Sequence, residues 1–394
     1  MIEVLFLLLP VAAASGWWLG QREWRRRGVN TVSAHPDFLR GLNYLLAEQP
    51  DKAIDLFVRL TEVDRETAET HLALGSLFRR RGELDRAIRI HASLIERPQL
   101  SPDLRALALF ELGQDYLGAG LLDRAEALFQ ELVRLDLQTE RALEALREIY
   151  QRERDWPRCL EVAEQLAGLT GMQRPAEVAH YYCELAEDAR RRGDLPKARA
   201  QIDLALASDP DCMRVLVLAG QMALAEGEAK RALELFRRVA AHGPTYAPEV
   251  LPDLIQAMES CGEDVIAELG LLVAGRAHPP LVLALSERIE QTQGASAALD
   301  LLADYLAHWA DLAVLERFLA LRARAAGPDG RTRRYAEVAL GVARHLRQHQ
   351  PIYHCERCGF QARTLHWQCP SCRCWGTIAA ILPEPIEQIP AQSP

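Results

Sequence analysis

Aromatic residues are scarce in this chain of 394 residues, at 6%, and no alternating run of β-branched residues lasts more than a few positions. Both shortages argue against an all-β fold, while the abundance of alanine, leucine, arginine and glutamate favours helix. Positive charge is not in surplus either. The 46 lysines and arginines against 55 acids leave a net charge of -9, which argues against general nucleic-acid binding. There is no glycine-rich phosphate loop, nucleophile elbow or HExxH, and nothing gathers the acids into an acid–base pair. An even disulfide framework is missing as well. Cys159, Cys183, Cys212 and Cys261 are scattered through helical segments, where a free thiol behaves as a small buried hydrophobe in a reducing compartment.

What is present begins at the first residues, MIEVLFLLLPVAAASGWWLGQREWRRR. Residues 4 to 20 carry no charge, and as a helix they span roughly 25 Å, enough to cross a thin bilayer. A cleaved signal peptide is the rival, with Ala12, Ala13 and Ala14 as a small-residue site. It needs a basic start, whereas the early charge here is Glu3. The cations follow the apolar run, at Arg22, Arg25, Arg26 and Arg27, and place the remainder on the cytoplasmic side. Residues 1–20 are expected to be a transmembrane anchor and 21–33 a basic juxtamembrane linker.

From residue 34 to 275 a signature recurs: glycine, then alanine five positions on. It reads Gly82 and Ala87, Gly120 and Ala125, Gly193 and Ala198, Gly227 and Ala232, Gly262 and Ala267, with Ala53 and Cys159 in the same alanine phase. Steps of 34, 38, 34, 39, 34 and 35 residues separate these positions. A period near 34 is the length of a pair of antiparallel helices, and the segment resembles the tetratricopeptide repeat family. Gly41, Gly75, Gly113 and Gly220 precede their alanines by twelve positions, where two helices must approach closely. Tyr44, Phe78 and Tyr116 on first helices, and Phe57, Phe129 and Phe236 on second helices, are the large partners. Such arrays bind peptides or protein surfaces in an inner groove, without catalysis. The RRR runs at 79–81 and 190–192 sit where cations favour a helix's C-terminal end. His71, His91 and His180 read as surface or packing residues. Residues 276–350 continue as degenerate helical repeats.

The chain then changes character. In YHCERCGFQARTLHWQCPSCRCW, Cys355 and Cys358 form one CxxC and Cys369 and Cys372 another. Four thiolates so spaced close a tetrahedron around one iron or zinc ion with no position left open, a structural site by default. CERCG and CPSC resemble the two knuckles of rubredoxin, although fewer residues separate them. Gly359 suits the turn that aims amides at sulfur, and Cys374 departs from the pattern as the geometrically poorer ligand. His354 and His366 read as packing or outer-shell residues. The array's end is the place this piece, 351–382, is expected to cap, and the proline-rich tail 383–394 is expected to be disordered. Residues 331–374 hold eight arginines against Glu337 and Glu356; RNA, anionic lipid or solvent are the alternatives for that local charge.

The expected fold is therefore all-α: a tetratricopeptide-repeat superhelical solenoid with an N-terminal transmembrane helix and a small C-terminal rubredoxin-like tetracysteine domain. That order, with the stretches DRAIRIH, AHYYCELA and CPSCRCW, resembles the lipopolysaccharide assembly protein B family. The resemblance implies a non-enzymatic, single-pass inner-membrane regulator with its bulk in the cytoplasm. It further implies partnership with the membrane AAA+ protease FtsH, with the lipid A-committing deacetylase whose degradation it promotes, and with other lipopolysaccharide biosynthesis or transport proteins. The same resemblance assigns Cys355, Cys358, Cys369 and Cys372 as metal ligands. A pure assembly scaffold and an RNA-binding regulator are the rival readings, and a homodimer is left open.

Overall fold

Helices dominate the computed structural model, which describes residues 65–242, 245–274, 278–325 and 330–386 and a few positions between 40 and 56. The expected anchor, the basic linker and Phe57 lie outside the described residues. Among the described residues no helix is long and apolar enough to cross a membrane. The chain divides into two compact units that meet in sequence between Glu153 and Arg154.

In the first unit the ordered helices are α1 (Arg65–Arg80), α2 (Leu84–Ile95), α3 (Pro102–Gly118), α4 (Leu122–Arg134) and α5 (Thr139–Glu153). The second holds α6 (Trp156–Thr170), α7 (Pro175–Arg191), α8 (Leu195–Ser208), α9 (Met213–Ala225), α10 (Ala229–His242), α11 (Ala247–Cys261), α12 (Val265–Val273), α13 (Pro279–Gln293) and α14 (Ala295–Leu306). There follow β1 (Trp309–Ala310), α15 (Leu312–Ala325) and α16 (Gly330–His349).

The recurring glycines end the first helix of each hairpin. Gly82, Gly120, Gly193, Gly227 and Gly262 have φ between 73° and 81°, the left-handed region where a Cβ would be strained. The next amide reaches back five residues each time: Glu83 to Phe78 and Leu121 to Tyr116 at 2.9 Å, Asp194 to Ala189 at 2.9 Å, Glu228 to Ala223 at 2.8 Å and Glu263 to Met258 at 3.0 Å. These bonds satisfy carbonyls that a helix end leaves orphaned and reverse the chain into the second helix.

Ala53, Ala87, Ala125, Ala198 and Ala232 are buried, and Cys159 is buried in the same phase. Ala267 departs from the series and is exposed. Its helix, α12, is only nine residues long, buries Leu269 instead, and packs chiefly on α13 rather than folding back along α11. The glycine signature therefore persists one unit beyond the hairpin geometry that it marks elsewhere.

The other glycines are notches. A Cβ on Gly113 would stand 2.7 Å from the Phe129 ring, and one on Gly220 would stand 2.5 Å from Cε1 of Phe236. Each phenylalanine lies sixteen positions on and is fully buried. Gly220→Ala should therefore cost about 2 kcal/mol by overpacking, read by urea unfolding. Adding Phe236→Leu should make the double change cheaper than the sum of the two singles.

In the α1–α2 hairpin His91 takes the phenylalanine's place against Gly75. This ring is polar, so it needs partners. Nδ1 pairs with the Asp115 carboxylate on α3, and Nε2 faces the Leu72 carbonyl at 3.3 Å. Arg79, from the first RRR run, donates to Asp115 at 2.7 Å and to Glu111. That arginine therefore ties one repeat to the next.

Past α16 the chain forms a three-stranded antiparallel sheet in the order β3 (Gln361–Ala362), β2 (Tyr353–Cys355), β4 (Ile378–Ala380). Tyr353 stands opposite Ala362 on one side and Ala380 on the other. The stretch expected as a disordered tail is ordered as far as Ile386. Its β5 (Glu384–Pro385) pairs antiparallel with β1, and the Ile386 amide bonds the His308 carbonyl at 2.9 Å. Proline here costs little because the two-residue strand is an edge.

Candidate metal centre

Two knuckles of the same construction present the four cysteines. In the first, the Gly359 amide bonds the Cys355 carbonyl at 2.9 Å and the Cys355 amide bonds the Phe360 carbonyl at 2.7 Å. In the second, Arg373 and Cys374 take those places, with bonds of 2.8 Å to the Cys369 carbonyl and 2.9 Å from the Cys369 amide. Both turns need a left-handed residue. Gly359 supplies it at φ 75°, and Arg373 supplies it at φ 58° despite its Cβ.

The Sγ atoms of Cys355, Cys358, Cys369 and Cys372 all lie within 4.8 Å of one another. Cys355 and Cys372 are 3.7 Å apart, as are Cys358 and Cys369. A tetrahedron with metal–sulfur bonds of about 2.3 Å has edges of about 3.8 Å, so the set fits a single iron or zinc ion. A disulfide requires about 2.05 Å, and every cysteine is free. Cys374 stays outside the cluster. It sits at the place of Phe360 in the second knuckle, beside Arg357, with its sulfur 3.4 Å from the Cys372 carbonyl.

Electrostatics within the cluster are uneven. The Thr377 hydroxyl, 3.3 Å from Cys355 Sγ, together with the amides of Cys358 and Arg357, lowers that thiol to about 6. Burial pushes Cys369 up to about 12 against the pull of the Cys372 and Ser371 amides. An ion held by four thiolates supplies the positive charge that deprotonates such a buried thiol, so loading weakens as pH falls. His354 and His366 contribute nothing to the cluster.

The knob does not cap the array. It seats on the middle of the second unit through two tryptophans, Trp367 and Trp375, that flank the second knuckle. Trp375 stacks on His180 of α7 at 4.7 Å and meets Trp156 and Tyr181 edge-on. Trp367 stacks on Tyr246 at 5.6 Å, and the Ala380 amide donates to the Thr245 hydroxyl at 3.0 Å. Between the tryptophans lies Arg214 of α9, 3% exposed, its guanidinium carbon 6.0 Å from one ring centre and 5.8 Å from the other. Glu184 at 2.8 Å and Glu187 at 3.1 Å hold it from α7. These contacts outweigh the array's end as a seat because they combine aromatic burial with a paired cation.

Sequence reasoning singled out the four cysteines that the fold brings together and missed this seat. In a chain so poor in aromatics, two tryptophans beside a knuckle were the available signal. Their partners, scattered over three helices and the turn before α11, carry none.

Burial, with the Arg214 cation nearby, lowers His180 to about 3. The folded form therefore resists a proton that the unfolded form accepts. Stability from this group is whole above about pH 6.5 and declines by up to about 1.4 kcal/mol per unit as pH falls toward 3. Acid unfolding of the knob should shift accordingly. His180→Phe, which keeps a ring under Trp375, should flatten the dependence above pH 5, where metal release is a separate process read by metal content.

Family models and known proteins match this chain. The rubredoxin metal binding domain model matches residues 353–380, and the tetratricopeptide repeat model matches 38–103 and 183–247. A crystal structure of MamA protein is 20% identical with a TM-score of 0.32, covering 45% of this chain and 91% of that one. A thermophilic TPR protein of Thermus thermophilus is 19% identical with a TM-score of 0.23, covering 49% and 98%. Much nearer in sequence are lipopolysaccharide assembly protein B of Escherichia coli K12, 37% identical over 97% of this chain and 98% of the relative, and that of Haemophilus influenzae, 34% identical with the same coverage. Repeats, tetracysteine knob and near full-length identity thus run together along one chain, which belongs to the lipopolysaccharide assembly protein B family.

Proposed function

We propose that this protein is a non-enzymatic regulator of lipopolysaccharide biosynthesis, tethered to the inner membrane by residues 1–20 with its bulk on the cytoplasmic side. In this reading it presents the lipid A-committing deacetylase to the membrane AAA+ protease FtsH and helps gather the assembly machinery. Its membership of a family named for lipopolysaccharide assembly, across nearly the whole chain, carries the reading. Two physical points support it. A metal closed in by four thiolates has no position for water or substrate, so the knob serves structure rather than chemistry. A tether confines the repeats to a thin layer, where a protease in the same membrane meets them at raised effective concentration.

The test is the lifetime of the deacetylase after protein synthesis is stopped, with this protein present and then depleted. Depletion should lengthen it, and the wild type but not a form lacking residues 1–20 should restore it. An unchanged lifetime would remove the proteolytic role and leave an assembly scaffold.

A further inference from the structure

The helical array ends on an apolar face. On α16, Ala336 and Ala343 are buried, while Tyr335 is 69% exposed, Val338 61%, Val342 56% and Leu346 52%. Their spacing of three, four and four residues puts them in one stripe along the helix. Repeat arrays ordinarily finish on a polar outer face. Here the knob that could have covered the stripe is seated elsewhere, and among the described residues nothing lies over it. Ile352 and Ile381, joined by an amide–carbonyl bond of 2.8 Å, are exposed just beyond the helix.

Charge narrows the occupant. The helix carries Arg331, Arg333, Arg334, Arg344 and Arg347 with His345 and His349, against the single acid Glu337. Glu337 bonds Arg333, and Arg344 and Arg347 bond Glu316 of α15. By helical position Arg331, Arg334, His345 and His349 border the stripe. A second copy laid along it would bring no acid to these arginines, since the single acid of the helix, Glu337, lies on the far side and bonds Arg333. An apolar stripe with a basic border instead suits an interface of acyl chains and anionic headgroups.

We propose that α16 lies on an anionic lipid surface, with Tyr335, Val338, Val342 and Leu346 immersed at headgroup level. This gives the protein a second membrane contact and fixes which side of the second unit faces the bilayer. The proposal rests on the membrane tether of the proposed function, which brings a bilayer within reach.

The test uses the full chain in vesicles of phosphatidylcholine alone or mixed with phosphatidylglycerol, with photoreactive benzoylphenylalanine in place of Val342. Illumination should give a lipid adduct chiefly in the anionic vesicles, and Arg334→Gln should lower its yield about fivefold. The same probe in place of Glu337, on the far side of the helix, should give none. Equal yields from the two lipids, or adducts only to a second copy or another protein, overturn the proposal. A chain that floats with vesicles yet gives no lipid adduct leaves the tether standing and overturns this contact. One that floats with neither vesicle overturns both.

Discussion

Cys355→Ser or Cys369→Ser will release the metal and unfold residues 353–380 while leaving the helices folded. The knob's own core is Tyr353, Cys355, Ala362, Cys369 and Ile378, and two of those five belong to the four-cysteine cluster. Strands of two or three residues cannot support so small a core by themselves. The binding free energy of a four-thiolate ion, on the order of 10 kcal/mol, is then most of what holds the fold. Loss of one sulfur also leaves three thiolates without their counter-charge. Metal content, far-UV circular dichroism and proteolysis together read this outcome: no bound metal, helicity retained, and cleavage within the knob. Retained metal with a protected knob would show that three sulfurs suffice. Cys374→Ser is the matching control. Its sulfur lies outside the cluster, so metal binding should persist.

Arg214→Ala should detach the knob without disturbing its metal. The substitution removes a buried cation from two carboxylates and two indole rings at once. Breaking a buried charge pair from one side costs about 3 kcal/mol, and about 1 kcal/mol more follows from losing the cation over the rings. Glu184 and Glu187 keep some contact with water, which moderates the first figure. The expected result is protease sensitivity in the segment joining α16 to the knob, with metal content unchanged. Arg214→Met, which keeps the stem but not the charge, should fall between the two. A cycle with Trp375→Ala should be clearly non-additive. Additive effects would mean that arginine and tryptophan hold the knob separately.

Much of this structure was legible because its causes are local. The glycines at 82, 120, 193 and 227 announce a left-handed turn wherever they occur, and the twin CxxC pairs announce a thiolate cage by spacing alone. Where the cause is a partner distant in sequence, the signal vanished. Nothing in the residues around Arg214 tells that it waits for Trp367 and Trp375. Nothing in GEDVIA tells that α12 is too short to fold back on α11, so Ala267 looked like its buried counterparts. His91 is a middle case. Its phase with Phe129 and Phe236 marks it as buried, but its need for Asp115 and Arg79 appears only when α1 and α3 are brought side by side.

The seat formed by Trp156, His180, Arg214 and Tyr246 is complete once residue 246 has been made, yet the tryptophans that fill it arrive more than a hundred residues later. At the usual pace of translation that is a delay on the order of ten seconds. The knob must also emerge and find its metal before it can dock. For that interval each newly made molecule carries an arginine and an aromatic floor whose covering residues do not yet exist, so docking of the knob follows the making of the helices beneath it.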